Sequence, residues 1–336
     1  MTKRTRLFLG VASGILLVGL GTGLVAAYVG GFQNLTIIGG NGPSELAYVP
    51  ADAHFVAYAN VRDVMDSEVR RKLTDLQSSP DAGPEHFKEQ TGIDLETDID
   101  HVVATFAQMD AEPAQGEPPL VLARGRFDEV RIEGLIREQG GSVEDYMGSR
   151  LLLQDANRLA LVFLEPGLVA IGGPAAVRRS IDTKAAGSNV TGNEEVMRLV
   201  REIDDGDAWV VARFDALSGN RLPAEVASQL PAINWFSAKG FIGTGLEGQL
   251  RVETRDEASA QNLQDVIRGF MALGRLQTGQ HPELAEFLNS VQLGSNGKTV
   301  SLSFSLPSEM IDALRALRAE RARPVAAPQP QQVPTL

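Results

Sequence analysis

The sequence predicts an α+β protein: an N-terminal transmembrane helix followed by a largely antiparallel sheet domain with helices packed on one face, the domain itself reading as duplicated. Three observations predict this. Leu7 to Val29 runs without a single charged residue. Beyond it, short apolar runs repeatedly lead through a capping residue into a helical period. Tight reversals such as Glu165-Pro166-Gly167 and Asn296-Gly297 then join neighbouring runs as antiparallel strands.

The uncharged run comes first. As a helix it would reach about 34 Å, enough for a hydrocarbon core of about 30 Å. Residues 1–6 form a basic cytoplasmic end with Lys3, Arg4 and Arg6, whereas the next Lys or Arg after Val29 is Arg62. That asymmetry holds the N-terminus in the cytoplasm. The expected location is therefore the inner (cytoplasmic) membrane, single-pass, with the bulk of the chain periplasmic or extracellular. The alternative is a cleaved signal peptide ending at Val25-Ala26-Ala27, although the apolar core is longer than such a segment usually needs. Gly10/Gly14 and Gly19/Gly23 have the small-xxx-small spacing that lets two helices approach, so a homodimer through the Gly-rich helix is one reading. The other is that Gly is simply frequent in membrane helices.

Composition narrows the remainder. With 43% hydrophobic and 22% charged residues the chain is ordinary globular material, and its lack of cysteine leaves the apolar core to provide stability. The net charge is −12, and three of the basic residues precede the anchor, so the exported part is more acidic still. Such a surface repels polyanions, which excludes nucleic acid as a partner.

Residues 30–44, rich in Gly and Asn, read as a spacer. A first α+β unit is expected over 45–185. In it the Ala53 to Val61 strand leads into a helix with Met65, Val69, Leu73 and Leu76 on one face. The Leu120 to Phe127 strand leads through Asp128 into Ile132, Leu135 and Ile136. A strand meander follows, and Val169 to Gly172 meets Pro174, placed as a first helical residue ahead of Val177 and Ile181. Ala185 to Asn193 is the join, and Asn193 to Asp204 a connecting helix with Val196, Leu199, Val200 and Ile203 on one face. The second unit is expected over 193–323. Its strand Ala208 to Phe214 precedes a helix near Pro223 to Leu230, and Leu250 to Thr254 enters a capping box, Thr254-x-x-Glu257. Val300 to Leu306 meets Ser308 and a helix containing Ile311, Leu314 and Leu317. Element by element the two halves read in one order, as a duplication would make them; equally, many α+β chains can be parsed that way. Residues 324–336 are a Pro- and Gln-rich tail expected to be disordered.

Motifs for chemistry fail on context. Gly243-Thr244-Gly245-Leu246-Glu247-Gly248 matches GxGxxG, but a strand follows it, whereas a dinucleotide site needs a helix there to receive the pyrophosphate. Asp94, Glu96, Asp98 and Asp100 line up hard oxygen ligands, yet Ile99 and Thr105 occupy the positions where a calcium loop needs Gly and Glu. His54, His86, His101 and His281 have no partner at metal-ligand spacing. The sequons at Asn34 and Asn189 read as unused in a bacterial-looking chain. No residue is singled out as catalytic, cofactor-binding or metal-ligating.

The segment ELAYVPADAHFVAYANVRDVMDSEVRRKL from Glu45, followed by TGIDLETDIDHVVATF ending at Phe106, resembles the opening of a group of uncharacterised membrane-anchored bacterial extracytoplasmic proteins of unknown function. The resemblance covers Glu45 to Phe106 and implies an exported α+β domain with no assigned chemistry. The functional expectation is a membrane-anchored extracytoplasmic binding or scaffold protein of the bacterial envelope, without a catalytic site. Its partners would be the membrane, through the N-terminal helix, and another envelope protein. The alternative is an envelope hydrolase using carboxylates in a cleft between the two units.

Overall fold

The computed structural model describes residues 42–68, 70, 88–89, 92–106, 118–154, 158–214, 231–277 and 287–309. Twelve strands form one sheet. They are β1 (Phe55–Asn60), β2 (Ile99–Phe106), β3 (Leu120–Gly125), β4 (Ser142–Tyr146), β5 (Ser149–Gln154), β6 (Leu159–Glu165) and β7 (Leu168–Gly172). After them come β8 (Ala208–Arg213), β9 (Ile233–Ile242), β10 (Gly245–Thr254), β11 (Gln292–Asn296) and β12 (Thr299–Pro307). Among the described residues five α-helices accompany them: α1 (Val61–Asp66), α2 (Glu129–Glu138), α3 (Pro174–Ala186), α4 (Glu194–Arg201) and α5 (Glu257–Gln277). The sheet order is β11-β12-β10-β9-β8-β1-β2-β3-β7-β6-β5-β4, and neighbouring strands pair antiparallel throughout.

Local chemistry accounts for the ends of these elements. Asp128 caps α2 by accepting the Arg131 N–H, Asn193 caps α4 by accepting that of Val196, and Pro174 opens α3. Pro166 and Gly167 make the β6–β7 reversal, with Gly167 at φ 73°, a conformation that a side chain disfavours. The expected capping box at Thr254 is displaced. Asp256 accepts the Ser259 N–H instead, while the Thr254 hydroxyl donates to the carbonyls of Asp256 and Lys298. Two residues of register decide this, because Thr254 is still paired in β10.

The predicted fold class needs correction on three counts. First, the two halves do not build separate sheets. β1 and β8 pair directly, Phe55 opposite Ala212 and Ala59 opposite Ala208, so one sheet crosses the expected boundary between units. Both strands are apolar on both sides, and as free edges they would expose unpaired backbone and buried-type side chains together. Pairing removes both edges at once, and two self-contained copies do not result. Second, helices cover both faces. α3 and α4 lie on the face we call the front, over Val56, Leu122, Leu151, Leu153, Val162, Leu168 and Val211. α2 packs on the back against Leu152, Leu161, Val169 and Ile171, and α5 on the same side against Val252 and Val300. All five residues of β7 are buried, a strand that no single helical layer can shield. Third, the expected transmembrane helix and signal anchor are not part of this architecture. Among the described residues no helix is long and apolar enough to cross a membrane, and Leu7 to Val29 lies outside those residues. The expected helices near Pro223 and after Ser308, and the C-terminal tail, also fall outside them.

Candidate functional site

On its front face the sheet changes character. From β3 to β5 most front side chains are apolar and covered, whereas Ser142 and Glu144 on the edge strand β4 are exposed. Across β9, β10, β12 and β11 the same face carries a polar grid, because alternate residues of each strand point the same way. Cross-strand pairing sets Trp235, Glu253, Thr299 and Asn296 in one row, and Ser237, Arg251, Ser301 and Gly294 in the next. Helix α4 borders the grid with Arg198 and Leu199, and Glu202 follows directly after it. Together these elements border an open cavity of about 330 Å³ lined by Arg198, Glu202, Trp235, Arg251, Glu253 and Ser301, among others. That volume is at the lower end of the range for small-molecule sites.

The charges in this cavity are paired in a chain. Lys298 Nζ lies 2.6 Å from Glu253 Oε1, Arg198 donates to Glu253 Oε2 at 2.7 Å, and Arg198 also lies 3.4 Å from Glu202. Arg251 completes the series, donating to Glu202 Oε2 at 2.5 Å. Burial would raise the Glu253 carboxyl, but its hydrogen bonds from Lys298 and Arg198 outweigh that and hold it below its ordinary value. It stays an anion, which suits a fixed acceptor better than a proton donor. Trp235 is buried, with its indole N–H donating to Glu195 Oε1 at 2.7 Å. By contrast, among the described residues the side chains of Ser237, Asn296, Thr299 and Ser301 make no hydrogen bond. The cavity therefore has a paired charged wall and a neutral floor whose polar groups face solvent without a protein partner among the described residues.

A second polar cluster sits on the same face beneath the 3-10 turn Ser44–Tyr48. Glu45 is 1% exposed, accepts from Arg124 Nε at 2.7 Å and lies 3.3 Å from His101 Nε2. Burial pushes its carboxyl up, and the contacts with His101 and Arg124 more than reverse that, leaving it at about 2. The Tyr48 hydroxyl donates to Glu165 at 2.6 Å, and Tyr58, stacked on Trp209 at 5.6 Å, is pushed up to about 12 chiefly by burial. These contacts tie the 3-10 turn to β2, β3 and the β6–β7 reversal. With its carboxylates paired to Arg124, His101 and Tyr48, the cluster reads as a clamp on the turn.

The motifs weighed in the sequence resolve as structure. Gly243 and Thr244 turn between β9 and β10, and a Cβ on Gly248 would come within 2.4 Å of the Phe304 ring, so that glycine is a bed for an aromatic side chain. The Asp94 to Asp100 carboxylates diverge: Asp94 takes Lys88, Glu96 takes Arg70, Asp100 takes Arg62, and Asp98 accepts the Asp94 N–H. Among the described residues no cluster could hold a metal ion. His54 lies 3.5 Å from Arg213, His86 and His281 are outside the described residues, and Asn189 accepts from the Thr191 N–H and hydroxyl. The cavity residues themselves were not singled out from sequence. The available signal was the polar alternation Thr299-x-Ser301-x-Ser303-x-Ser305 on β12 beside Gln249-x-Arg251-x-Glu253 on β10.

No family model and no curated protein matches the chain. Among solved structures, crystal form III of TP0453 is similar at a TM-score of 0.50 and 8% identity, covering 81% of this chain and 97% of that one. Crystal form IV of the same protein gives a TM-score of 0.46 at 9% identity, covering 80% and 96%. At such identity the likeness concerns the fold alone.

Proposed function

We propose that the protein is a non-catalytic binding module whose ligand site is the cavity between α4 and the polar front of β9, β10, β12 and β11. The observation that carries this reading is the polar floor, which no described element covers, on a sheet whose front from β3 to β5 is packed under α3, α4 and the 3-10 turn. The envelope hydrolase is the weaker reading. An acid–base pair needs two carboxylates with separated proton affinities, and Glu253 is held ionised by two cations. Placement outside the cytoplasm is part of the proposal and rests on the residues before Gly30. A periplasm-dependent reporter fused after Leu336 should be active, and strong activity of a cytoplasmic reporter there would reject it.

Thermal shift against a library of small polar compounds tests the site. A true ligand at a hundredfold excess over its Kd should stabilise the protein by about 2.7 kcal/mol. Filling the cavity with Ser301→Trp should abolish the shift while far-UV circular dichroism stays unchanged. Turnover of the bound compound would overturn the non-catalytic reading, and an undiminished shift in Ser301→Trp would overturn the location.

A further inference from the structure

We infer that this cavity takes a neutral, hydroxyl-rich ligand of the carbohydrate class, an inference that rests on the binding-module reading above. The charged groups of the cavity are paired, and its neutral polar groups are not. Two cations line the cavity, Arg198 and Arg251, a third, Lys298, pairs with its Glu253 from outside the lining, and each already contacts Glu202 or Glu253. An anion could gain these cations only by competing with carboxylates fixed 2.5 to 3.4 Å away, one of them 9% exposed. It would also approach a chain of net charge −12. A cationic ligand meets the mirror problem, since both carboxylates are taken.

The unsatisfied groups are of another kind. Ser237, Thr299 and Ser301 each offer a hydroxyl that both donates and accepts, and Asn296 offers an amide that does the same. The complement to such groups is a ligand whose own groups play both parts, and sugar hydroxyls do. The charged chain adds to this, because a paired carboxylate keeps spare lone pairs and a paired guanidinium keeps spare N–H groups, both stronger partners for a hydroxyl than neutral ones. Leu199 and the largely buried Trp235 give the cavity an apolar side for the C–H face of a ring.

The outer rim fits the same ligand. Gly294 stands in the row of Ser301, Arg251 and Ser237 and brings no side chain, so the row opens at β11. A Cβ there would come 3.1 Å from the Ser301 hydroxyl and crowd it from that edge. A ring seated over Ser301 would therefore have room for a further unit to continue past Gly294.

Isothermal titration of the full chain with glucose, galactose, N-acetylglucosamine and maltose, and separately with inorganic phosphate and citrate, decides the matter. At least one neutral sugar should bind saturably with an affinity insensitive to salt. Asn296→Ala with Ser301→Ala should weaken it by about tenfold or more. Ser303→Ala, on the same strand outside the lining, should leave both binding and melting temperature unchanged. Binding of phosphate or citrate alone, falling steeply with salt and lost in Arg251→Ala, would overturn the carbohydrate class and leave the cavity standing as a site. No binding from either panel would overturn both. Sugar binding undisturbed by the double variant would place the sugar elsewhere and reject this assignment.

Discussion

The two halves of the front face have one backbone geometry and opposite fates. Outward from the β1–β8 seam the strands run β1-β2-β3-β7-β6-β5-β4 in one direction and β8-β9-β10-β12-β11 in the other. In the first direction the front positions from β3 to β5 include Leu122, Leu168, Ala170, Ala160, Val162, Leu151 and Leu153, all buried among α3, α4 and the 3-10 turn, while His101 and Arg124 are tied to Glu45 and only the edge strand β4 shows polar, exposed Ser142 and Glu144. In the second they are Ser237, Lys239, Gln249, Arg251, Ser301 and Ser303, with Trp235 and Glu253 at the border of α4. The pleat merely alternates side chains; which residues fill the front positions decides whether a helix is drawn down as core or a floor is left for something else. The back face shows no such contrast, with apolar residues meeting α2 at one end and α5 at the other.

The largest expected effect tests the closed half. Leu168→Ala empties a fully buried position and should cost about 2–5 kcal/mol in urea unfolding. A loss below about 1 kcal/mol would mean that the first half is not the packed core described. Next is the clamp. Glu45→Gln leaves Arg124 short of its anion and should cost about 2–3 kcal/mol, less than for a fully buried pair because Arg124 is a quarter exposed.

The clamp also sets an acid response. The folded Glu45 carboxyl lies at about 2 against an ordinary value of 4.5, so its contribution is complete above 4.5 and lost as pH falls through 2. Asp207 works the other way, since burial first and Asp63 second raise its carboxyl, and protonation on acidification relieves that cost. Glu45→Gln should therefore flatten the fall in stability below pH 4.5, measured by melting temperature against pH. An unchanged profile would remove Glu45 from the account.

The smallest effect is the most informative. Ser301→Ala should change stability by under about 0.5 kcal/mol, as expected of a side chain with no hydrogen-bond partner among the described residues. A loss comparable to that of Leu168→Ala would mean that the second half hides a packed core, and the comparison would fail.

Much of the local structure was legible in the chain. Asp128, Asn193 and Pro174 mark their helix starts because a cap or a first-turn proline acts on backbone groups within three residues of itself. Pro166-Gly167 and Gly297 mark hairpins for the same reason, since a positive φ is a property of one residue. Thr254 has the local pattern of a cap but does not act as one, because its pairing with β9 competes with capping, and that pairing is not local. Only the tertiary structure decided that β1 joins β8, that helices occupy both faces, and that Arg198 of α4 reaches Glu253 of β10. Each brings together residues scores of positions apart, where the choice of partner depends on which edges remain unpaired and which faces remain uncovered once everything else has folded.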